Sequence, residues 1–206
     1  DERHLSITIW SDSSSFKWGG VVKSQGQTQT ISDYWPARAQ ALPIMVLEAK
    51  ALLAVLQSLA TQVKNKRVDA WGDNQVLIAA WENEGCRSSQ LNAVLKDLFQ
   101  FTLQSNSLLK LSYVHTSVNE ADAPSREVHK ADCMLTVGAW NKVQKYFGKT
   151  SGHTLDLMAL DSNVMPNKAG QALPHFTPYP TPNTSGVNVF CQGLDQQQNY
   201  YVFPPF

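Results

Sequence analysis

The order in which two hydrophobic periodicities follow each other constrains the fold of this chain more than any other feature. Apolar residues alternate at period two in residues 4–11, and segments 16–23 and 28–34 are predicted as two further strands joined by a Ser-Gln-Gly-Gln turn. A long helical pattern then runs from Pro43 to about Thr61. Three strands before the first long helix predict an antiparallel meander.

The remaining pattern adds parallel crossovers to this meander. Two more short strands are predicted at 67–71 and 108–114. Helical segments are predicted at 74–84, 88–104, 119–126 and 132–147. The order βββαβααβαα therefore predicts an α/β fold with a five-stranded mixed sheet flanked by helices, in which the first three strands are antiparallel and the last two are parallel.

Composition divides the chain into two regions. Residues 149–206 contain seven of the ten prolines and only five charged residues, and the boundary falls in a small-residue stretch at 148–152. We predict a domain at 1–148 and an irregular, Pro-rich C-terminal extension at 149–206 with three short strand-like pieces. The chain begins with Asp-Glu-Arg-His, which has no initiator Met and no signal-peptide character, as is typical of a fragment of something larger.

The charge balance and the cysteines restrict the classes of partner and compartment. The 206 residues contain 17 basic and 17 acidic side chains, which excludes a strongly basic nucleic-acid-binding tail and a strongly acidic disordered segment. Cys86, Cys133 and Cys191 form neither a disulfide framework nor a metal-ligand pattern, and favour an intracellular, reducing compartment. No apolar run approaches the roughly 18 residues of a membrane span, so no membrane partner is expected.

Four carboxylates occupy positions where the pattern would normally have apolar or small residues. Asp12 ends the first strand, Asp73 ends the fourth, and Asp122 begins a helix. Glu48 lies on the apolar stripe of the long helix and should point toward the sheet. Burying such a charge unpaired costs on the order of several kcal/mol. Each carboxylate alone is explained equally by a solvated side chain or a turn cap, but the four together predict a site for two Mg²⁺ ions.

The order Asp, helical Glu, Asp, Asp resembles type-1 ribonuclease H, and especially the RNase H domain that follows reverse transcriptase in retroelements. The matching segments are Ser11–Ser14 with Trp18–Gly20, Leu47–Ala49, Gly72–Gln75 and Asn119–Arg126. The stretch 81–91 and the ending Val202–Phe206 are similar to DIRS-type retrotransposons, which carry a tyrosine recombinase. In that group a segment resembling a DNA adenine methyltransferase follows the RNase H domain.

This resemblance implies an RNase H-like fold and metal-dependent endonucleolytic cleavage of the RNA strand of RNA–DNA hybrids during reverse transcription. Asp12, Glu48, Asp73 and Asp122 would be both the catalytic residues and the ligands of two Mg²⁺ ions, for which Mn²⁺ is expected to substitute. A water activated between the ions would leave 3′-hydroxyl and 5′-phosphate ends. The implied protein partner is the reverse transcriptase domain of the same polyprotein, and no small-molecule cofactor is expected.

The resemblance also implies contacts to the substrate. Gly19 and Gly20 would bring the backbone close to the RNA strand, and Gln75 would reach into the minor groove of the hybrid, which is read through its shape and 2′-hydroxyls. Arg87 and Ser88, at a helix N-terminus, would hold a phosphate of the DNA strand. An ordinary helix N-cap with a solvated arginine explains these last two residues equally well.

The sequence departs from the family pattern in ways that leave a second hypothesis open. His115 lies nearer the preceding strand than the family's product-release His, so it is either an auxiliary residue or a polar strand end. Ile44 and Met45 stand where family members often have an RNA-contacting Asn, and no basic handle loop is visible. A catalytically weak or inactive scaffold or nucleic-acid-binding module is the alternative. Transposases and proofreading exonucleases of the same fold arrange their carboxylates in a different order.

The C-terminal extension departs from its own relatives. Phe203-Pro204-Pro205-Phe206 lacks the polar first residue with which adenine methyltransferases hold the target amine. We therefore predict a degenerate or truncated remnant that packs as structure. His153 and His175 have no ligand spacing and are predicted to be surface or loop residues.

Overall fold

The computed structural model describes residues 6–129, 132–148 and 152–204 of the 206-residue chain. The chain divides into two compact units, which are an N-terminal unit, Asp1–Glu127, and a C-terminal unit, Val128–Phe206. The division follows Glu127 and not residue 148, because the last long helix places Trp140 in the hydrophobic core of the C-terminal unit. Composition did not reveal this, since the helix itself has the charge content of the N-terminal region.

The described part of the N-terminal unit begins with three strands, and helices then separate and follow its last two strands. Its strands are β1 (Ser6–Ser13), β2 (Lys17–Ser24), β3 (Gln27–Tyr34), β4 (Arg67–Gly72) and β5 (Leu108–Tyr113). Its helices are α1 (Ala37–Gln40), α2 (Ile44–Ser58), α3 (Ala60–Val63), α4 (Gln75–Glu82), α5 (Ser89–Ser105) and α6 (Asp122–Arg126), with a 3₁₀ turn at Thr116–Val118. Across the described ranges, no helix is long and apolar enough to cross a bilayer.

The five strands form one mixed sheet in the order β3-β2-β1-β4-β5. The pairs β1–β2 and β2–β3 are antiparallel, whereas β4 is parallel to β1 and β5 is parallel to β4. This arrangement confirms the predicted α/β class and the predicted RNase H-like sheet.

Helix α2 is the central helix of this unit. Pro43 immediately precedes it with an extended backbone, as is common at a helix start. Nine of its fifteen residues are buried, because it packs against β1, β2 and α5. A carboxylate in the second turn of such a helix is therefore carried to the surface of the sheet.

The described part of the C-terminal unit has little regular structure. It contains α7 (Val137–Phe147), β6 (Leu155–Asp156), β7 (Phe176–Thr177), β8 (Gly186–Val187), β9 (Tyr200–Tyr201) and a 3₁₀ turn at Val189–Cys191. The strand pairs are β6–β9 and β7–β8, both parallel. The buried core consists of Trp140, Ala159, Val164, Met165, Leu173 and Tyr201. The three predicted strand-like pieces are therefore paired strands, although each spans only two residues.

Hydrogen bonds to the Asp161 side chain connect irregular segments of this unit. Its carboxylate accepts from His175 Nε2 at 2.8 Å and from Thr181 Oγ1 at 2.7 Å, and also from the backbone N–H of Asn183 at 2.9 Å. His175 is 2% exposed and His153 is 6% exposed, so neither is a surface side chain, although both lie outside the helices and strands of the unit, as a loop position requires. Their burial depends on tertiary partners that have no local sequence signature.

Candidate metal centre

Two of the predicted ligands meet because β1 and β4 are parallel neighbours. Trp10 pairs with Trp71, so the two strands end at the same edge of the sheet. Asp12 lies near the end of β1, and Asp73 immediately follows β4. Side chains at the carboxyl ends of adjacent parallel strands are brought together by the sheet itself, and open α/β sheets commonly bind ligands at this edge.

Helix α2 adds the third carboxylate, and an asparagine holds that helix in place. The Asn74 side chain donates to the Met45 carbonyl at 3.0 Å and accepts from the Leu77 N–H at 2.9 Å. It therefore caps α4 and at the same time ties the first turn of α2 to the end of β4. Glu48, one turn after Met45, is carried to the same edge as Asp73.

Asp12, Glu48 and Asp73 form a close carboxylate group. Each offers one carboxylate oxygen, and these oxygens all lie within 4.8 Å of one another. Asp12 is 3% exposed, and the other two side chains are partly buried. Three oxygens at this spacing are the donor type that Mg²⁺ and Mn²⁺ prefer, so the residues present fit a divalent metal ion.

The electrostatics of the group favour a cation. Burial, and then the charges of Asp73 and Asp12, raise the pKa of Glu48 to about 7. Burial also raises the pKa of Asp12, and the neighbouring charge of Asp73 adds to the effect. Within the described ranges, none of the three forms an ion pair with a basic side chain. A bound divalent cation would neutralise this repulsion.

The fourth predicted ligand lies outside this group of three. Asp122 is the first residue of α6, and its Oδ1 accepts from Arg126 Nε at 2.8 Å. Its charge still contributes to the raised pKa of Asp12, so it lies close to the group without joining it. The matched motif placed Asp122 in the site, but sequence spacing does not show that an arginine four residues later holds the carboxylate.

Two further residues of the matched segment Asn119–Arg126 support the site. The Ser125 hydroxyl, which is fully buried, donates to Asp12 Oδ2 at 2.7 Å. The Asn119 side chain donates to the Ser11 carbonyl at 3.4 Å. These bonds attach the segment that contains α6 to the end of β1. Ser125 was not among the predicted site residues, although its place in the motif was a signal for it.

Replacing Ser125 with Ala is expected to weaken metal binding about 10- to 100-fold, because removal of a group that orients a ligand typically has this effect. The variant leaves Asp12 Oδ2 without its buried donor. Thermal melts in a Mn²⁺ titration measure the change. Ser89→Ala, at an exposed position in α5, is the control. Equal Mn²⁺ affinity in the two variants would contradict a role for Ser125.

The two glycines of β2 are explained by packing. A Cβ on Gly19 would lie 2.6 Å from the backbone nitrogen of Ser125, and a Cβ on Gly20 would lie 2.4 Å from a methyl group of Val55. Both glycines are buried. They allow α6 and α2 to approach the sheet, so the predicted approach to RNA is not needed to account for either residue.

The other predicted substrate contacts lie on the surface. Gln75 is exposed at the first position of α4, directly after the Asp73-Asn74 pair. Arg87 is exposed, and the Ser88 hydroxyl accepts from the Leu91 N–H at 3.2 Å. Ser88 is thus an N-cap of α5, as the simpler of the two interpretations required.

His115 is an exposed N-cap residue of the 3₁₀ turn, and the next residue contacts one of the three carboxylates. His115 Nδ1 accepts from the Ser117 N–H at 3.2 Å and caps the 3₁₀ turn. Thr116, the next residue, donates its hydroxyl to Asp73 Oδ2 at 2.6 Å. Sequence reasoning considered the histidine and missed the threonine, which has no motif of its own.

The raised pKa of Glu48 predicts that the metal-free protein loses stability as pH rises. The folded form holds this proton up to about pH 7, whereas the unfolded form releases it near pH 4.5. The resulting stabilisation is complete below 4.5 and lost above 7. Glu48→Gln should remove this slope and be the more stable protein at pH 8 in EDTA. Melting temperatures from pH 4 to 8 test this, and parallel curves for the two proteins would refute it.

The C-terminal unit contains a separate, mainly apolar cleft of about 430 Å³. Asp156, which is 2% exposed, lies in its wall and accepts from the Met158 N–H at 3.1 Å. Phe203 packs partly buried against the core of this unit. Pro205 and Phe206, which complete the methyltransferase-like ending, lie outside the described residues.

Neither a protein-family model nor a curated protein matches this chain. Several solved structures do resemble it. RNase H1 from the halophilic archaeon Halobacterium salinarum is 17% identical, with a TM-score of 0.48 over 58% of this chain and 92% of that chain. LC11-RNase H1 in complex with an RNA/DNA hybrid is 14% identical, with a TM-score of 0.48 over 58% of this chain and 92% of that chain.

A viral protein is among the more distant neighbours. A foamy viral protease-reverse transcriptase in complex with double-stranded DNA is 9% identical, with a TM-score of 0.40 over 60% of this chain and 23% of that chain. The strand order and strand directions, and not these values, define the class: the N-terminal unit has the RNase H-like fold.

Proposed function

We propose that the N-terminal unit is a ribonuclease H, a metal-dependent endonuclease that cleaves the RNA strand of RNA–DNA hybrids. The main support is the convergence of Asp12, Glu48 and Asp73 from three separate elements within 4.8 Å. An accidental surface cluster would not require a buried aspartate, a glutamate on the sheet-facing side of the central helix and an asparagine that ties the two elements together.

The residues around the carboxylates have distinct tasks in this proposal. Two Mg²⁺ ions held there would supply an activated water and stabilise the leaving oxygen. Asp12, fixed by Ser125, is the anchored ligand at the floor of the cleft. Glu48 and Asp73 line the same cleft, which has a volume of about 450 Å³. A single phosphodiester fits such a cleft, so the duplex must lie across the protein surface.

The charge balance makes binding dependent on metal. The N-terminal unit, residues 1–127, contains 12 basic and 13 acidic side chains, a net charge of −1, and two Mg²⁺ ions would change this to +3. The cleft then changes from repelling a phosphate to attracting it. We expect the affinity for the hybrid to be weak and to fall steeply as the salt concentration rises. A polymerase domain is expected to supply additional contacts to the hybrid.

The direct test is hydrolysis of a labelled RNA–DNA hybrid by the whole chain at low salt with Mg²⁺ or Mn²⁺. We expect the RNA strand of the hybrid to be cut. Duplex DNA and duplex RNA of the same sequence are the matched control substrates, and both should stay intact. EDTA should stop the reaction. If the hybrid stays intact with both metals, the chain has no autonomous nuclease activity.

The second candidate is a scaffold or nucleic-acid-binding module with the same fold and little turnover. The pairing of Asp122 with Arg126 favours it, and so does Ile44, which lines the cleft and is 50% exposed where an amide would contact RNA. Metal-dependent thermal stabilisation without hydrolysis identifies this candidate.

We also propose that the chain derives from a DIRS-like retrotransposon polyprotein, in which a reverse transcriptase domain is its partner. The segments Asn119–Arg126 and Val202–Phe206 support this. The C-terminal unit is then a degenerate methyltransferase-like remnant with a structural role. Free Cys86, Cys133 and Cys191 fit an intracellular, reducing compartment. Stimulation of hybrid cleavage by an added polymerase domain would test the partnership.

A further inference from the structure

The ion pair between Asp122 and Arg126 lies at the edge of the carboxylate group. Arg126 lines the same cleft as Asp12, Glu48 and Asp73. Its Nε donates to Asp122 Oδ1 at 2.8 Å, and the side chains of Arg126 and Asp122 are 57% and 36% exposed. Arg126 therefore lies beside three carboxylates but donates its hydrogen bond to a fourth, Asp122, which is not part of the close group.

The anchoring of α6 shows which parts can move. Ser125, between the two paired residues, is fully buried and bonded to Asp12. The backbone of α6 lies so close to β2 that a Cβ on Gly19 would clash with it. The buried Ser125 thus anchors the helix, while the side chains of Asp122 and Arg126 are solvent-accessible and have room to change their conformation.

We propose that Arg126 is a phosphate-responsive latch on Asp122. In the protein without nucleic acid, Arg126 holds Asp122 away from the carboxylate group. A phosphate of the bound strand takes over the guanidinium, and the released Asp122 joins Asp12, Glu48 and Asp73 as a fourth metal ligand. This inference rests on the proposed function for the identity of its trigger, which is a nucleic-acid phosphate.

The strengths of the two competing contacts support the exchange. An exposed ion pair between residues four apart on a helix is weak and easily replaced. A guanidinium binds phosphate through two parallel hydrogen bonds, and Arg126 uses only Nε toward Asp122, which leaves its terminal amino groups for this purpose. By linkage, phosphate and metal then strengthen each other's binding.

The test compares Mn²⁺ affinities by calorimetry in the absence of nucleic acid. Arg126→Ala should bind Mn²⁺ roughly two- to fivefold more tightly than the parent, because Asp122 is released. Loss of a positive charge alone would also tighten binding, so the same change is repeated in an Asp122→Asn background, where the latch predicts little gain. Arg67→Ala, which breaks the exposed pair with Asp69 at the far end of β4, is the matched control.

Hybrid binding provides the second readout. At low salt in EDTA, where the weak binding without metal is strongest, Arg126→Ala should bind an RNA–DNA hybrid several-fold more weakly, with a salt dependence reduced by about one phosphate contact. Arg67→Ala should leave both quantities unchanged. Melting curves in EDTA verify that each variant folds, and Asp122→Ser replaces Asp122→Asn if the latter does not.

Three results would overturn the latch. They are unchanged Mn²⁺ affinity in Arg126→Ala, an equal gain in the Asp122→Asn background, and unchanged hybrid binding in Arg126→Ala. None of these measurements requires hydrolysis. A parent chain that leaves hybrids uncut therefore refutes the proposed nuclease activity, whereas the latch is decided by the binding data alone.

Discussion

Replacing Asp73 with Asn should reduce cleavage of an RNA–DNA hybrid by more than about 100-fold, since loss of a metal ligand exceeds the effect of losing its support. Asn keeps the shape and removes the charge. It also removes one of the charges that raise the pKa of Glu48, so the metal-free variant should fold at least as well as the parent. Initial rates in Mg²⁺ and melting curves in EDTA measure the two effects.

Asp69→Asn is the control for this result. Asp69 lies on β4, the strand that immediately precedes Asp73, and forms an ion pair with Arg67. The control should retain parental cleavage and parental stabilisation by Mg²⁺. If Asp73→Asn still cleaves the hybrid at the parental rate, the carboxylate group is not the catalytic centre.

Replacing Gly19 with Ala should have the largest effect on stability. The new Cβ would lie 2.6 Å from the Ser125 nitrogen and 2.8 Å from Pro124 atoms, closer than real contacts allow. Backbone must move, and such overpacking costs about 1–3 kcal/mol. Because the moving segment contains Ser125, Mn²⁺ affinity should fall together with the melting temperature.

Gly72→Ala separates this clash from a general effect of adding a methyl group. A Cβ on Gly72, at the end of β4, meets only the Ser11 carbonyl oxygen at 3.7 Å, an ordinary contact. Chemical denaturation of both variants should show a loss for Gly19→Ala alone. Equal stability of the two variants would mean that α6 is not pressed against β2.

The fold and the central carboxylates were predictable because their signals are local. A period-two pattern predicts strands wherever one face is buried, and the order of elements leaves few sheet topologies. Glu48 was informative for the same reason, since a charge on an apolar helical stripe needs a partner. The parallel pairing of β1 with β4 then brings Asp12 and Asp73 to one edge.

The rest of the site depends on contacts between residues far apart in sequence. Ser125 reaches Asp12 across 113 residues, and Thr116 reaches Asp73 across 43. The Thr116 hydroxyl does not differ from a surface hydroxyl in the sequence, and only its place in the matched segment Asn119–Arg126 distinguishes Ser125. Gly19 is the reverse case, in which a motif predicted a functional contact. The motif indicated a contact with the substrate, but the packing of α6 against β2 already requires glycine at this position.

The C-terminal unit was the least predictable part. Its strands span two residues each, and hydrogen bonds to Asp161 hold segments that have no periodicity. Trp140 belongs to this unit although the surrounding helix has the composition of the N-terminal region. A boundary drawn from composition consequently fell on the wrong side of that helix.

The asparagine that ties α2 to α4 has a consequence for metal capture. Because Asn74 bonds the first turn of α2, it links the helix that contains Glu48 to the end of β4, where Asp73 lies. An ion that bound at the proposed centre would therefore meet oxygens that are already close together, and its capture would need no movement of α2.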